Sequence, residues 1–137
     1  MTRRSLILAL VAMLAACSVE KVPLVASDVD IRKPMPGMNM SAGYLTLTNN
    51  TEQSIIITHV TSPQFGSVEL HESVLEDGVS RMYALGNLTI LPGHTVRFEP
   101  GGKHLMLMRP SIGADEITLD FHAGKAVILT INTSLMD

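Results

Sequence analysis

An all-β domain, built as an antiparallel Greek-key barrel or sandwich, is the fold class this sequence predicts, and three observations carry the prediction. Apolar residues, many of them Val, Ile, Thr and Leu, recur in short runs or at period two. Turn signals separate those runs: Asn49-Asn50-Thr51, Asp77-Gly78, Pro92-Gly93, Pro100-Gly101-Gly102 and Ala123-Gly124. No stretch combines a helical apolar period with capping residues. Many short strands at regular spacing build sandwiches and barrels. A length of 137 residues with 46% hydrophobic content fits one domain with a core that needs no staples.

The chain opens with a targeting segment. Arg3 and Arg4 precede an apolar run from Ser5 to Met13 that is too short to span a bilayer. Leu14-Ala15-Ala16-Cys17 then resembles the lipobox of bacterial lipoproteins, in which the cysteine is lipidated and becomes the mature N-terminus. On that pattern residues 1–16 are a lipoprotein signal peptide, 17–27 a lipidated N-terminus and tether, and 28–137 the β domain. Cys17 is the chain's single cysteine, so its acylation leaves the domain without a thiol. Disulfide exchange, cysteine nucleophiles and thiolate metal sites are then excluded together. Ser18 after the cysteine resembles the outer-membrane sorting pattern. The expected location is the bacterial cell envelope, lipid-anchored on the periplasmic side, at the outer rather than the inner membrane.

Within the domain, the first strand is predicted at Asp28–Arg32, where Val29 and Ile31 alternate with charged residues. A Met-rich loop over 32–43 leads to Gly43–Thr48, closed by the Asn-Asn-Thr turn. Ser54–Thr61 is a β-branched run, and Ser67–Ser73 alternates Val68 and Leu70 with polar residues. Asp77-Gly78 joins that strand to Val79–Ala84 as a hairpin. Leu88–Leu91 and Thr95–Glu99 flank Pro92-Gly93, and His104–Arg109 follows Pro100-Gly101-Gly102. Glu116–His122 and Ala126–Asn132 flank Ala123-Gly124.

Composition narrows the function. Net charge is −3, aromatic content is 4% and there is no Trp, so neither a basic patch nor a stacking platform for nucleic acid is supplied. The informative stretch is KHLMLMRP, residues 103–110. On a strand His104, Met106 and Met108 share one face and Leu105 and Leu107 the other. A plain core face is compatible with this, because methionine fills irregular gaps. Partners change the weighing. His71, Met82, His104 and Met106 form His-x(10)-Met-x(21)-His-x-Met, and the Asp77-Gly78 hairpin is expected to set residues 71 and 82 opposite each other.

This spacing resembles the signature of the periplasmic copper chaperones of the PCu(A)C type. MPGMNMSAGYLTLTN (35–49), VELHES (68–73), DGVSRM (77–82), ILPG (90–93) and FEPGGKHLMLM (98–108) follow in that family's order, and the resemblance spans residues 28–133. It implies a cupredoxin-like barrel and no enzyme activity. It also implies Cu(I) held by His71, Met82, His104 and Met106, and delivery to a cuproenzyme such as cytochrome c oxidase. The implied partner is a copper-accepting protein, an oxidase subunit or another copper carrier; a monomer is expected. Many members carry a His- and Met-rich tail that handles Cu(II), whereas this chain ends in INTSLMD.

The chemistry of the donors agrees. Thioether sulfur is neutral and soft and selects Cu(I) over hard or borderline ions, and two imidazoles add affinity. The site would remain a net monocation, from which a thiolate or more basic acceptor can extract the metal. Met35, Met38, Met40 and Met108 are candidate auxiliary ligands, with packing favoured for Met108. His59, His94 and His122 have no partners in the pattern and are expected at the surface or at strand ends. Rival readings are copper scavenging or resistance, a redox cupredoxin, a structural envelope lipoprotein whose Met face is core, and a hydrolase using His71 or His122 with Asp120 or Ser73. A blue-copper centre needs a cysteine thiolate that the domain lacks. The hydrolase has no nucleophile elbow or metalloprotease motif behind it.

Overall fold

In the computed structural model residues 22–137 are described; the leader, Cys17 and the residues just after it lie outside them. Eleven strands follow in order: β1 (Leu24–Arg32), β2 (Met40–Asn49), β3 (Ile55–Ile57), β4 (His59–Thr61), β5 (Phe65–Glu76), β6 (Val79–Ala84), β7 (Leu88–Ile90), β8 (Thr95–Phe98), β9 (Lys103–Pro110), β10 (Glu116–Ala123) and β11 (Ala126–Met136). The described residues contain no helix, as the absence of a capped helical period predicts. Seven strands close a barrel in the order β1-β11-β10-β4-β5-β9-β2, with β2 returning to β1. Closure removes the unpaired edges that an open sheet would expose. The β1–β11 ladder is parallel and the others are antiparallel. β8 extends the sheet from the second half of β2, β6 extends it from the end of β5, and β3 pairs with β7 in a separate two-stranded sheet.

The barrel fills itself from alternate positions of its strands. Leu45 and Leu47, Leu105 and Leu107, and Leu119 and Phe121 are almost wholly buried. Gly43 sits on that inner face, where β1, β2 and β9 converge. A Cβ there would come within 2.7 Å of Ile31 Cδ1 and 3.2 Å of both Leu105 Cβ and Leu107 Cδ1. The bare backbone lets the three strands approach this closely. Asn49 ties the barrel to the small sheet. Its buried amide donates to the carbonyls of Gln53 (2.8 Å), Ile90 (2.9 Å) and Leu91 (3.2 Å), and its Oδ1 accepts from Thr51 N and Oγ1.

β2, β5 and β11 run longer than predicted, β2 from Met40 inside the segment read as loop, β5 from Phe65 to Glu76 and β11 to Met136, and two further elements differ in kind. The strand expected at Asp28–Arg32 begins at Leu24, inside the segment read as tether. Leu24 is buried and pairs with Asn49. Asp28, at φ +51°, sits in a bulge between Ser27 and Asp30 that shifts the phase, so Leu24 and Ile31 both point inward. The bulge at Ser27–Asp30 breaks the period-two pattern that would have revealed the longer strand. The run Ser54–Thr61 breaks at Thr58 into β3 and β4, and its buried residues, Ile57 and Val60, are three apart, which one continuous strand face cannot accommodate. At the break Thr58 donates through N (2.8 Å) and Oγ1 (3.1 Å) to the carbonyl of His122.

Candidate metal centre

The Asp77-Gly78 turn sets the geometry of the site. Both residues have positive φ, +50° and +77°, as a two-residue type I′ hairpin requires, and Glu76 pairs directly with Val79. This register carries His71 opposite Ala84 and Met82 opposite Ser73. His71 and Met82 are therefore one rung apart on the same face, and not directly opposite as the spacing was taken to imply. A two-residue loop dictates that offset, so the correction was legible in the turn itself.

Register assembles the remaining groups on the outer face of β6, β5, β9 and β2. His71 lies directly opposite His104, Glu69 opposite Met106, and Ser67 opposite Met108. On the other side of β9, Ala42 pairs with Met106 and Met40 with Met108. The leucines between them turn inward: Leu105 and Leu107 are fully buried, while Met106 and Met108 are half-buried and Met82 is 52% exposed. The methionine face of β9 is thus outside the barrel and not part of its core. His71, Met82, His104 and Met106 all lie on this face.

The two imidazoles are edge to face with ring centroids 5.9 Å apart. His104 is 6% exposed, and its Nδ1 is 3.0 Å from the carbonyl oxygen of Gly102. A carbonyl only accepts, so in the neutral ring the proton is on Nδ1 and the lone pair on Nε2. His71 is held the other way round. Its Nε2 is 3.0 Å from Glu69 Oε2, which places the proton on Nε2 and the lone pair on Nδ1. That Nδ1 is buried and makes no hydrogen bond within the protein. A buried, unbonded nitrogen is costly in a purely structural histidine and is what a metal ligand needs.

Met82 and Met106 also line a groove of about 620 Å³ that runs along β2 to Met35, Met38 and Met40; neither histidine lines it. Met108, although on the same face, is not among its walls. At the rim Lys33 Nζ is 2.8 Å from Asp137 Oδ1. The hydrogen bond and then the charge of each partner hold Asp137 below the usual carboxylate range and Lys33 above its usual value. Among the described residues no group of three or more His, Cys, Asp or Glu side chains converges. The donors that register places on this face are two imidazoles and two thioethers, a set whose chemistry suits a soft monovalent cation and poorly suits a hard or borderline one.

Sequence reasoning missed two features. Glu69 stands two residues before His71 on one strand face, a Glu-x-His spacing that could have revealed it. His59 and His122, which have no partner in the four-ligand pattern, pair with each other across β4 and β10 and stack with centroids 4.2 Å apart; His59 is exposed and opens β4, as expected of a surface or strand-end residue. Only non-local pairing brings them together. His94 fits its expected place, at a turn, with Nδ1 2.9 Å from the Pro92 carbonyl.

A family model described as "Putative lipoprotein LpqE-like" matches residues 24–133. "Uncharacterized protein RP573" of Rickettsia prowazekii (strain Madrid E) is 31% identical over 85 residues, covering 59% of this chain and 47% of its own length. "Putative lipoprotein Lxx21020" of Leifsonia xyli subsp. xyli is 29% identical over 99 residues, covering 72% and 55%. The chain spans about half the length of these curated relatives. Among solved structures, the copper-bound PCuAC domain from PmoF2 superposes with a TM-score of 0.63 at 23% identity, over 82% of this chain and 92% of that one. The likeness is one of fold, and it makes the closed all-β barrel cupredoxin-like, as expected from the resemblance.

Proposed function

Because the chain belongs to the LpqE-like family, whose model spans nearly the whole barrel, we propose that it is an extracytoplasmic Cu(I) carrier in which His71, Met82, His104 and Met106 hold the metal as cargo. The observation that carries this reading is the pair of imidazole lone pairs: His71 Nδ1, buried and unbonded, and His104 Nε2, left free by the Gly102 carbonyl. Both belong to a face that also presents two thioethers. The shared fold with a copper-bound PCuAC domain supports it.

Thioethers ligate without losing a proton, whereas each imidazole ligates through a lone pair and so only in its neutral form. The bound ion keeps its positive charge, and half-exposed Met82 gives an acceptor's ligand a side from which to enter. A copper-accepting protein, such as a cytochrome c oxidase subunit or another carrier, then draws the metal off by ligand exchange. Cys17, lipidated, would hold the domain on the periplasmic side of an envelope membrane, the outer one by the Ser18 pattern, and raise its concentration near a membrane-bound acceptor.

Titration of the full chain in detergent with Cu(I), under reducing anaerobic conditions and against a chromophoric chelator, is the direct test. One tight equivalent is expected of the chain with Cys17 acylated, with no intense visible band before or after oxidation, since acylation leaves no thiolate available. A folded protein that takes up no Cu(I) overturns the proposal. Glu69 is expected to support the site through His71. Glu69→Ala should lower Cu(I) affinity roughly 10–100-fold, the usual cost of losing an orienting carboxylate, with the circular dichroism spectrum unchanged. Unchanged affinity would show that His71 needs no such orientation.

A further inference from the structure

Three of the chain's nine methionines occupy one short segment, Met35-Pro36-Gly37-Met38-Asn39-Met40, outside the four-ligand cluster. Its conformation is specified locally. Met38 N donates to Met35 O at 2.9 Å and Gly37 has φ +82°. With proline at the second position and glycine at the third, this is a type II turn. Such a turn brings its first and last Cα atoms within about 7 Å, so Met35 and Met38 are held side by side. Met40 then opens β2 on the outer face, directly opposite Met108.

A packing role would bury these side chains, yet Met35 is 68% exposed, Met38 46% and Met40 37%. All three line the groove that Met82 and Met106 also line, and Met40 stands one rung from Met106 across β2 and β9. Two cations that line the groove are paired, Arg32 with Asp30 at 2.7 Å and Lys33 with Asp137 at 2.8 Å, while Arg109, whose N donates to Asn39 O, reaches Ser67 Oγ. Three exposed soft donors, two of them set side by side by the turn, form a receptive environment for a soft monovalent cation.

Building on the Cu(I) reading of the main site, we propose that Met35, Met38 and Met40 form a second, all-thioether Cu(I) site in the same groove, with Met40 one rung from Met106. It is weaker than the first because it lacks imidazole donors. Cargo exchanges between the two by replacement of one thioether by another, with copper remaining Cu(I) and no proton or electron moving. The second site serves as the point of entry or departure for metal bound by His71, Met82, His104 and Met106.

The test is Cu(I) titration of the full chain in detergent, with the methionine methyl groups followed by carbon-13 NMR. Wild type should take up a tight equivalent followed by a second, weaker one that moves the methyl signals of Met35, Met38 and Met40. The triple variant Met35→Leu, Met38→Leu, Met40→Leu should lose the second equivalent by at least tenfold in affinity and retain the first. The variant Met82→Leu, Met106→Leu should show the reverse. A wild type that binds a single equivalent, or a folded triple variant that keeps the second, overturns this proposal while leaving the main site standing. Retention of both equivalents by the Met82/Met106 variant instead counts against the main-site assignment, and the triple variant alone then decides the second site.

Discussion

Met82→Leu combined with Met106→Leu is expected to abolish the tight Cu(I) equivalent while the chain keeps its β-barrel. Leucine for methionine nearly conserves volume, and such swaps cost less than about 1.5 kcal/mol even in cores. Here the cost should be smaller still, since Met82 is half-exposed and Met106 faces outward beside the groove. The chemical change is large by comparison. Both soft donors disappear, leaving two imidazoles with no sulfur, and Cu(I) loses the preference that distinguishes this site. The loss should exceed the roughly 10–100-fold that removal of an orienting outer partner costs, because ligands themselves are removed. Competition titration beside a thermal melt measures both quantities on one sample. Unchanged affinity in a folded variant would move the copper away from this face, with the 35–40 turn the first place to look.

Leu107→Ala, one residue further along β9, should have the opposite profile. Leu107 is fully buried, and its Cδ1 lies 3.2 Å from where a Cβ on Gly43 would be, at the convergence of three strands. Truncation removes buried methyl groups and leaves a cavity that a closed barrel cannot easily collapse, at a cost of about 2–5 kcal/mol. That corresponds to a fall in Tm of roughly 10–20 °C. The variant should unfold at lower urea with an unchanged slope, and its folded fraction should bind Cu(I) with wild-type stoichiometry. A destabilisation below about 1 kcal/mol would mean that the inner face of β9 is not the packing surface described. Together the two variants separate fold from cargo binding along one strand, by the parity of the residue changed.

Much of this was readable from local pattern. The alternation in KHLMLMRP, the turn at Asp77-Gly78 and the strands around Leu45 to Leu47 and Ile117 to Phe121 are short-range features, and short-range sterics and hydrophobic periodicity specify them. The direction of each face was not readable. Either His104, Met106 and Met108 or Leu105 and Leu107 could have been turned inward, and the core reading of the methionines stayed open until the neighbours of β9 were known. Glu69 illustrates the same limit, because its spacing to His71 acquires meaning only once that strand face is known to carry the site.

The chain's own letters determined an all-β domain and its turns, and nominated the four donors of the candidate site. These depend on residues close in sequence, or on side-chain chemistry that is independent of context. The tertiary structure alone decided how the barrel closes, through the parallel contact of β1 with β11 and the return of β2 to β1. It also decided that Ser54–Thr61 divides between two sheets, that His71 faces His104, and that His59 stacks on His122. Each of these is a pairing between distant segments. Such registers are selected by the joint packing of the inner faces, so the position of a donor on the outside follows from which leucine its neighbour buries on the inside.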